Sequence, residues 1–313
     1  MYRRSKNKTI MKTPIKISSI NAMHQALGLK KPSNPLISVF SFNDVKLKSE
    51  TILNAVITDF YAVALKKDCA GGKFKYGQQY YDFDEGIMYF TAPQQVLQFE
   101  DVLLNEVEGF VLVVHPDFLQ SYPLASKIKD YGFFSYTANE ALFLAEKEEK
   151  SIMDIIDNIS QEIHANMDSF TQDLLVSNLD LLLKYCDRFY NRQFLTRKKV
   201  NNDLLSKLET LLDECFKNDK LIIDGIPTVH FVAEKLNLSA NYLSDMLRVQ
   251  TGQTTQQHIQ NRLIEKAKEL LSTTEMSVSE IAYQLGFEHP QSFHRLFKNR
   301  TSFSPLEFRA SFN

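Results

Sequence analysis

The stretch GFEHPQSFHRLFKNR, residues 286–300, places aromatic residues, small polar residues and cations together within fifteen positions. Phe293, Leu296 and Phe297 have the three- and four-residue spacing of a buried helical stripe. That leaves Gln291, Ser292, His294, Arg295, Lys298, Asn299 and Arg300 for the other faces of the same helix. A second copy of the pattern about 50 residues upstream decides what the stretch is for.

VHFVAEKLNL, from Val229, aligns with VSEIAYQLGF, from Val278, at an offset of 49, pairing Val232 with Ile281, Ala233 with Ala282, Leu236 with Leu285 and Leu238 with Phe287. Past the turn the offset becomes 50. Leu243 then matches Phe293, Met246 matches Leu296, Leu247 matches Phe297, Arg248 matches Lys298 and Thr251 matches Thr301. Each copy predicts helix, short turn, helix. In the first, Thr228 caps a helix to about Lys235, Asn237-Leu238-Ser239 forms the turn, and Ser239 caps a helix to about Gln250. In the second, Ser277 and Glu280 form a capping box, Gly286 supplies a permissive turn backbone, and Pro290 suits the first turn of the next helix. Ala233 and Ala282 are small where the two helices approach each other, as a helix-turn-helix requires.

Between the copies, Thr254-Thr-Gln-Gln257 opens another capped helix, carrying Ile259, Leu263, Ile264, Ala267, Leu270 and Leu271 on its apolar side. Roughly 18 residues at 1.5 Å each make a rod of about 27 Å. It suits two recognition helices entering major-groove segments about 34 Å apart, one turn of DNA.

SVSEIAYQLGFEHPQSFHRLFKNRTSFSPLEF, Ser277 to Phe308, resembles the second motif of the DNA-binding domain of AraC/XylS-family transcription regulators, and LSANYLSDMLRVQTG followed by NRLIEKAKELL resembles the first motif and the joining helix. The resemblance implies two helix-turn-helix units joined by a helix, commonly preceded by a cupin-like ligand-sensing or dimerising domain. One position departs from the family: Ser302 stands in the turn where Gly is usual and where the first copy has Gly252. A non-Gly residue there must accept a positive φ or a changed turn.

The family's matching positions face the major groove, which makes Gln291, Ser292, His294 and Arg295 candidate base readers in the second copy. Gln suits adenine, Arg suits guanine and Ser adapts to either. The corresponding candidates in the first copy are Asn241, Ser244 and Asp245. Asn241 suits adenine, whereas Asp245 repels phosphates unless it accepts from cytosine N4 or orients a neighbour. Phosphate contacts are expected from Arg248, Lys298 and Arg300 and from helix starts. For each cation the alternative is a solvated face; Arg295 stands out because His289–Arg300 contains no acidic residue.

The 313 residues, 44% of them hydrophobic, suit a two-domain globular protein. A formal net charge of −2 leaves any attraction to nucleic acid to local clusters of cations. The expected layout is a flexible basic tail over 1–14, a sensing or dimerising domain over 15–187, a basic linker over 188–202 and a DNA-binding domain over 203–313. The fold class is α+β: an N-terminal antiparallel β-barrel, cupin-like in pattern, with amphipathic helices after it, then an all-α double helix-turn-helix. Short runs rich in Val, Ile, Phe and Tyr, such as KFKYGQQYYDF and GIMYFTAP, interrupted by Gly and Asp turn signals, carry the β assignment. Ile152, Ile155, Ile156, Ile159 and Ile163, then Phe170, Leu174, Leu175, Leu179, Leu182 and Leu183, mark the two helices, whose stripes either pack on the barrel or pair with a second chain.

Cys69, Cys186 and Cys215 lack zinc or redox spacing and read as reduced. Cupin metal sites use clustered His and carboxylates, whereas His115 in VLVVHPDF stands alone, so no metal and no cofactor is expected. No apolar run approaches the roughly 20 residues of a membrane span, and the start lacks a signal-peptide core, so the expected location is cytoplasmic. The leading reading is a sequence-specific transcription regulator, an activator, controlled through its N-terminal domain. Its expected partners are double-stranded promoter DNA, RNA polymerase, a small-molecule effector and a second copy of the chain, with no membrane; no effector-binding residue is assigned. The alternatives are a barrel enzyme tethered to a DNA-binding module, disfavoured because no nucleophile elbow or phosphate loop is present, and a helical interaction module that has lost DNA binding.

Overall fold

The structure is a computed structural model that describes residues 14–46, 55–67, 74–76, 79–81, 86–98, 108–137, 140–217 and 220–312. The basic tail over 1–13 and Cys69 lie outside the described residues. The chain divides into two compact units, Met1–Tyr190 and Asn191–Asn313.

The first unit begins with β1 (Ile15–Ile17), α1 (Ile20–Ala26), β2 (Ile37–Ser41), β3 (Ala55–Thr58) and β4 (Tyr61–Lys67), then β5 (Phe74–Tyr76) and β6 (Gln79–Tyr81), β7 (Gly86–Thr91), β8 (Val96–Gln98) and β9 (Glu108–Val114). A short helix α2 (Leu124–Lys127) and strand β10 (Leu142–Leu144) follow. The main sheet is antiparallel in the order β10-β7-β4-β9-β2. Strand β4 alternates buried and half-buried residues along Tyr61–Leu65, the period-2 pattern of a strand with one face in the core. Its neighbours β7 and β9 supply fully buried Met88 and Leu112, and β10 at the edge supplies Leu142. A second sheet has the order β1-β3-β8, with β1 parallel to β3, and β5 and β6 form a hairpin.

The expectation of a closed antiparallel barrel is corrected here: among the described residues the sheets are open. Strands β10 and β2 end the main sheet without pairing with each other, and the parallel β1–β3 pair belongs to a separate sheet. Alternation along a strand reports which face is buried and leaves the identity of the neighbouring strand unspecified. Helix α1, which precedes the β-rich stretch, has no counterpart in the sequence reading. Ser19 caps it by accepting from Ala22 N, and Ile20 and Met23 pack with Ile17, Phe40, Val56, Phe60 and Val113 in one buried cluster.

Helices α3 (Glu146–His164) and α4 (Thr171–Thr196) carry the two predicted stripes. Ile152, Ile155, Ile156, Ile159 and Ile163 of α3 are buried, as are Leu175, Leu179, Leu182, Leu183 and Cys186 of α4. Phe170 and Leu174 are exposed, at 67% and 49%, and Leu181 joins them. At about 100° per residue Leu174 and Leu181 share a face of α4 roughly a third of a turn from the buried one, and Phe170 stands just before the helix.

The second unit contains α5 (Lys198–Cys215), α6 (Lys220–Asp224), α7 (Val229–Lys235), α8 (Ala240–Thr251), α9 (Thr255–Thr273), α10 (Val278–Gln284), α11 (Pro290–Thr301) and α12 (Pro305–Ala310). Residues 188–202 are helical, apart from Arg197 between α4 and α5. The segment has neither Gly nor Pro to break a helix. The repeat is visible atom by atom. Asn237 (φ +56°) and Gly286 (φ +80°) both turn the chain through the left-handed region. The following N–H groups, of Leu238 and Phe287, donate to Ala233 O at 2.9 Å and Ala282 O at 3.0 Å, closing each helix with the same Schellman-type bond.

The correspondence continues beyond the recognition helices. Gly252 (φ +74°) and Ser302 (φ +66°) end α8 and α11 in the same conformation. The Thr251 and Thr301 hydroxyls each donate to the carbonyl four residues back, at 2.8 Å, and each accepts the N–H two residues on, at 3.2 Å. Thr254 with Gln257, and Ser304 with Glu307, then form capping boxes on α9 and α12. Ser302 therefore keeps the turn of the first copy by adopting the positive φ, and α12 is capped after α11 as α9 is after α8.

A Cβ on Gly286 would stand 2.6 Å from the Leu221 carbonyl oxygen of α6, in addition to the strained φ. Gly286→Ala is expected to cost roughly 1–3 kcal/mol, read as a lower urea midpoint. Ser302→Gly relieves about 1–2 kcal/mol of left-handed strain against about 0.5–1 kcal/mol of added chain entropy, so its midpoint should hold or rise. A Gly286→Ala midpoint equal to the parent's would mean that α6 does not press on this turn.

Candidate nucleic-acid interface

Helix α11 is held by aromatic packing on one side. Phe293 and Phe297 are buried to within 1% and meet at 5.7 Å between ring centroids. Phe287 packs on Phe293 at 5.6 Å, and Phe308 of α12 packs on Phe297 at 5.5 Å, so the rings run in tilted and edge-to-face contacts from the turn to α12. Leu296, expected in the core with them, is only half-buried.

The opposite side presents the polar residues. Gln291, Ser292, Arg295, Lys298, Asn299 and Arg300 are exposed, and His294 is half-buried against the edge of Phe293. At about 100° per residue Gln291, Arg295 and Lys298 share one line along the helix, with Ser292 and Asn299 beside it. Among the described residues neither Arg295 nor Lys298 is ion-paired. The Arg300 guanidinium is turned aside to donate to Gln260 Oε1 of α9.

The first motif presents a different surface. Asn241 is exposed at the start of α8, at the position that matches Gln291. Asp245 and Arg248 form an ion pair at 2.9 Å, whereas the matching Arg295 and Lys298 are both cations. The Ser244 hydroxyl lies 3.0 Å from the buried Thr255 Oγ1, linking α8 to the first turn of α9. Tyr242, matching the exposed Ser292, is buried edge-on against Phe194 at 5.1 Å, and Gln250 donates to the Phe194 carbonyl at 3.5 Å. The Ser244 and Tyr242 contacts escaped the sequence reading; a Tyr where the second copy has Ser was the available sign that this side of α8 is covered.

Helix α9 runs 19 residues, about 28 Å, between the motifs. Its apolar side is buried as expected, through Ile259, Leu263, Ile264, Ala267, Leu270 and Leu271. In the other unit, His115 accepts from Asp117 N at 3.3 Å and caps the single turn Pro116–Leu119.

A helix-turn-helix domain family matches residues 232–311. These residues hold most of both motifs and the whole of the joining helix. Over these residues the chain carries a helix-turn-helix domain, the part of the sequence that resembles AraC/XylS-family regulators. Among curated relatives, the HTH-type transcriptional activator RhaS of Salmonella schwarzengrund is 31% identical over 135 residues, 43% of this chain and 46% of that protein. RhaS of Escherichia coli O139:H28 is 38% identical over 78 residues, 25% of this chain and 28% of that one. The chain thus spans less than half the length of these RhaS relatives. Among solved structures, the C-terminal domain of the response regulator yesN from Fusobacterium nucleatum is 32% identical, covering 34% of this chain and 98% of that one, with a TM-score of 0.30.

Within the helix-turn-helix domain, the capping carboxylates Glu280 and Glu307 titrate below the ordinary range. Glu280 is lowered by the hydrogen bond with the Ser277 side chain and then by that with its backbone; Glu307 is lowered by the Ser304 backbone and then its hydroxyl. A folded pKa below the unfolded one contributes stability above the ordinary carboxylate value, lost as pH falls through the folded value. Glu280→Gln is therefore expected to lower the melting temperature at pH 7, and the difference should shrink towards zero as pH drops through the carboxylate range. A difference independent of pH would mean that the charge of Glu280 plays no part in the cap.

Proposed function

We propose that the protein is a sequence-specific regulator of transcription that places α8 and α11 in successive major-groove segments of promoter DNA. The observation that carries this reading is the unpaired cationic line of α11 opposite a buried aromatic face. Gln291, Ser292, His294 and Arg295 serve as base readers in the second motif, and Asn241, Ser244 and Asp245 in the first, where Thr255 also engages the Ser244 hydroxyl. Lys298, Arg248 and Arg300 contact phosphates, Arg300 after leaving Gln260. The RhaS relatives are named activators, and we extend activation, with RNA polymerase as the partner, to this chain.

The first unit acts as the control domain, sensing a small molecule or pairing with a second copy. The exposed Leu174 and Leu181 on α4, with Phe170 just before it, support pairing. Two paired chains would bring four recognition helices to one promoter and raise affinity through effective concentration. Among the described residues no helix is long and apolar enough to cross a membrane. A promoter-binding role places the protein in the cytoplasm, with the DNA.

Arg295→Ala is expected to weaken binding to a selected operator by about 1–3 kcal/mol while leaving binding to scrambled duplex nearly unchanged. Gel-shift or anisotropy titrations on both duplexes measure this. Equal losses on the two would assign Arg295 to phosphate. Binding of neither duplex by the parent protein at low salt would remove the DNA-binding role of the whole chain.

A further inference from the structure

We propose that His289 is a further DNA contact of the second motif, and that His289 and His294 each take up a proton from solvent when α11 enters the groove, so that the protein binds DNA more tightly as pH falls through the neutral range. This rests on the reading of the domain as DNA-binding and adds to it one contact residue and a proton linkage.

Two of the seven histidines stand within six positions at the start of α11. The matching residues of the first copy are serines, and both are engaged: Ser239 accepts from Tyr242 N at 3.2 Å to cap α8, and the Ser244 hydroxyl meets that of Thr255 at 3.0 Å. His289 holds the same N-cap place with the same extended backbone, yet its side chain makes no capping bond. The Ser292 N–H is taken up by the His289 carbonyl at 3.0 Å, so the imidazole is not needed to close the first turn. It is exposed, two residues before Gln291. A recognition helix meets the groove with its N-terminal residues, and a side chain at the N-cap is within reach of the groove wall. His294 is half-buried, edge-on to Phe293, and at about 100° per residue it lies about 60° to one side of the line formed by Gln291, Arg295 and Lys298.

Histidine is the side chain whose charge changes within the neutral range. A neutral ring donates from one nitrogen and accepts at the other; a protonated ring donates from both. Phosphate oxygens, and the N7 and O6 of guanine, only accept. Duplex DNA carries one negative charge for about every 1.7 Å of its axis. A histidine brought against that surface is therefore held in its protonated form, by opposite charge and by the second hydrogen bond that the proton supplies. A group that holds its proton more firmly in the complex than in the free protein contributes affinity that is fully present at low pH, and that is lost as pH rises through the value at which the complex releases the proton.

The other charges around α11 are engaged or balanced. The helix itself holds Arg295, Lys298 and Arg300 and no acid, with Glu288 exposed just before His289. Helix α6, which meets the turn at Gly286, carries Lys220 and Asp224, one charge of each sign. On α10, Glu280 is held in the cap with Ser277; on α12, Glu307 is held by Ser304, and Arg309 donates to the Leu271 carbonyl. On α9, His258 bonds Thr251, Arg262 pairs with Asp213 and Glu265, Lys266 pairs with Glu269, and Lys268 lies over the Phe308 ring. The charge that changes around His289 and His294 on binding is thus that of the arriving phosphates. The first recognition helix has no histidine, so the linkage belongs to α11.

The test is anisotropy titration of a selected operator by the full-length protein across the neutral pH range at constant ionic strength. The parent's Kd should rise about tenfold or more between about pH 6 and pH 8. His289→Gln and His294→Gln should each remove part of that rise, and the double variant should bind with an affinity nearly independent of pH and close to the parent's at the upper end. The ring Cε1–H resonances of both histidines, assigned by their loss in the single variants, should titrate at higher pH in the complex than in the free protein. The parent's own pH dependence requires no substitution, and melting temperatures report separately that the variants fold. A parent Kd that is flat over this range, or a double variant that keeps the parent's slope, would overturn the proposal. A slope removed entirely by His294→Gln would overturn the assignment of His289 as a contact. Failure of the parent to bind any duplex at any pH defeats the DNA-binding reading and the proposal together, an outcome distinct from binding that ignores pH.

Discussion

A helix of twelve residues can offer a polar face to a ligand only if its other face is immobilised. In α11 that is done by Phe293 and Phe297, tilted against Phe287 at the turn and edge-on to Phe308 of α12. Rings in such contacts resist rotation of the helix about its axis more than aliphatic chains of equal area, because tilted and edge-to-face geometries are specific. Everything proposed for Gln291, Ser292, Arg295 and Lys298 depends on this anchoring. A slip of one residue would carry Arg295 about 100° around the helix.

The turn before each recognition helix is the second requirement. Asn237 and Gly286 bend the chain at matching places, and in the second motif α6 approaches so closely that only Gly fits, with the Leu221 carbonyl where a Cβ would lie. In the first motif Asn accepts the same φ. The exits behave likewise, with Gly252 and Ser302 sharing one left-handed conformation. A change of residue at an equivalent turn is thus absorbed as local strain rather than as a new path for the chain, because the flanking bonds from Thr251 and Thr301 and the caps beyond them are the same in both copies.

The two copies share a scaffold and differ at the surface. Asp245 with Arg248, against Arg295 with Lys298, gives one framework an ion-paired surface in the first copy and a cationic one in the second. Ser244 and Tyr242 show how packing withdraws side chains from such a face: one hydroxyl bonds to Thr255, and one ring is covered by Phe194. Neither withdrawal follows from position on the helix alone.

The helix-turn-helix units were legible in the sequence because their determinants are local. Caps at Thr228, Ser239 and Ser277, the three- and four-residue spacing of the apolar residues, and the turn chemistry at Asn237 and Gly286 all act within about a dozen residues, and the repeat displayed them twice. The stripes of α3 and α4 were legible for the same reason. Tertiary structure decided what depends on partners distant in the chain: among the described residues, open sheets in place of a barrel, the parallel pairing of β1 with β3, the exposure of Phe170 and Leu174, and the fate of Tyr242. Period-2 alternation and helical spacing state which face of an element is apolar. Which neighbour covers that face is settled only when segments far apart in sequence meet.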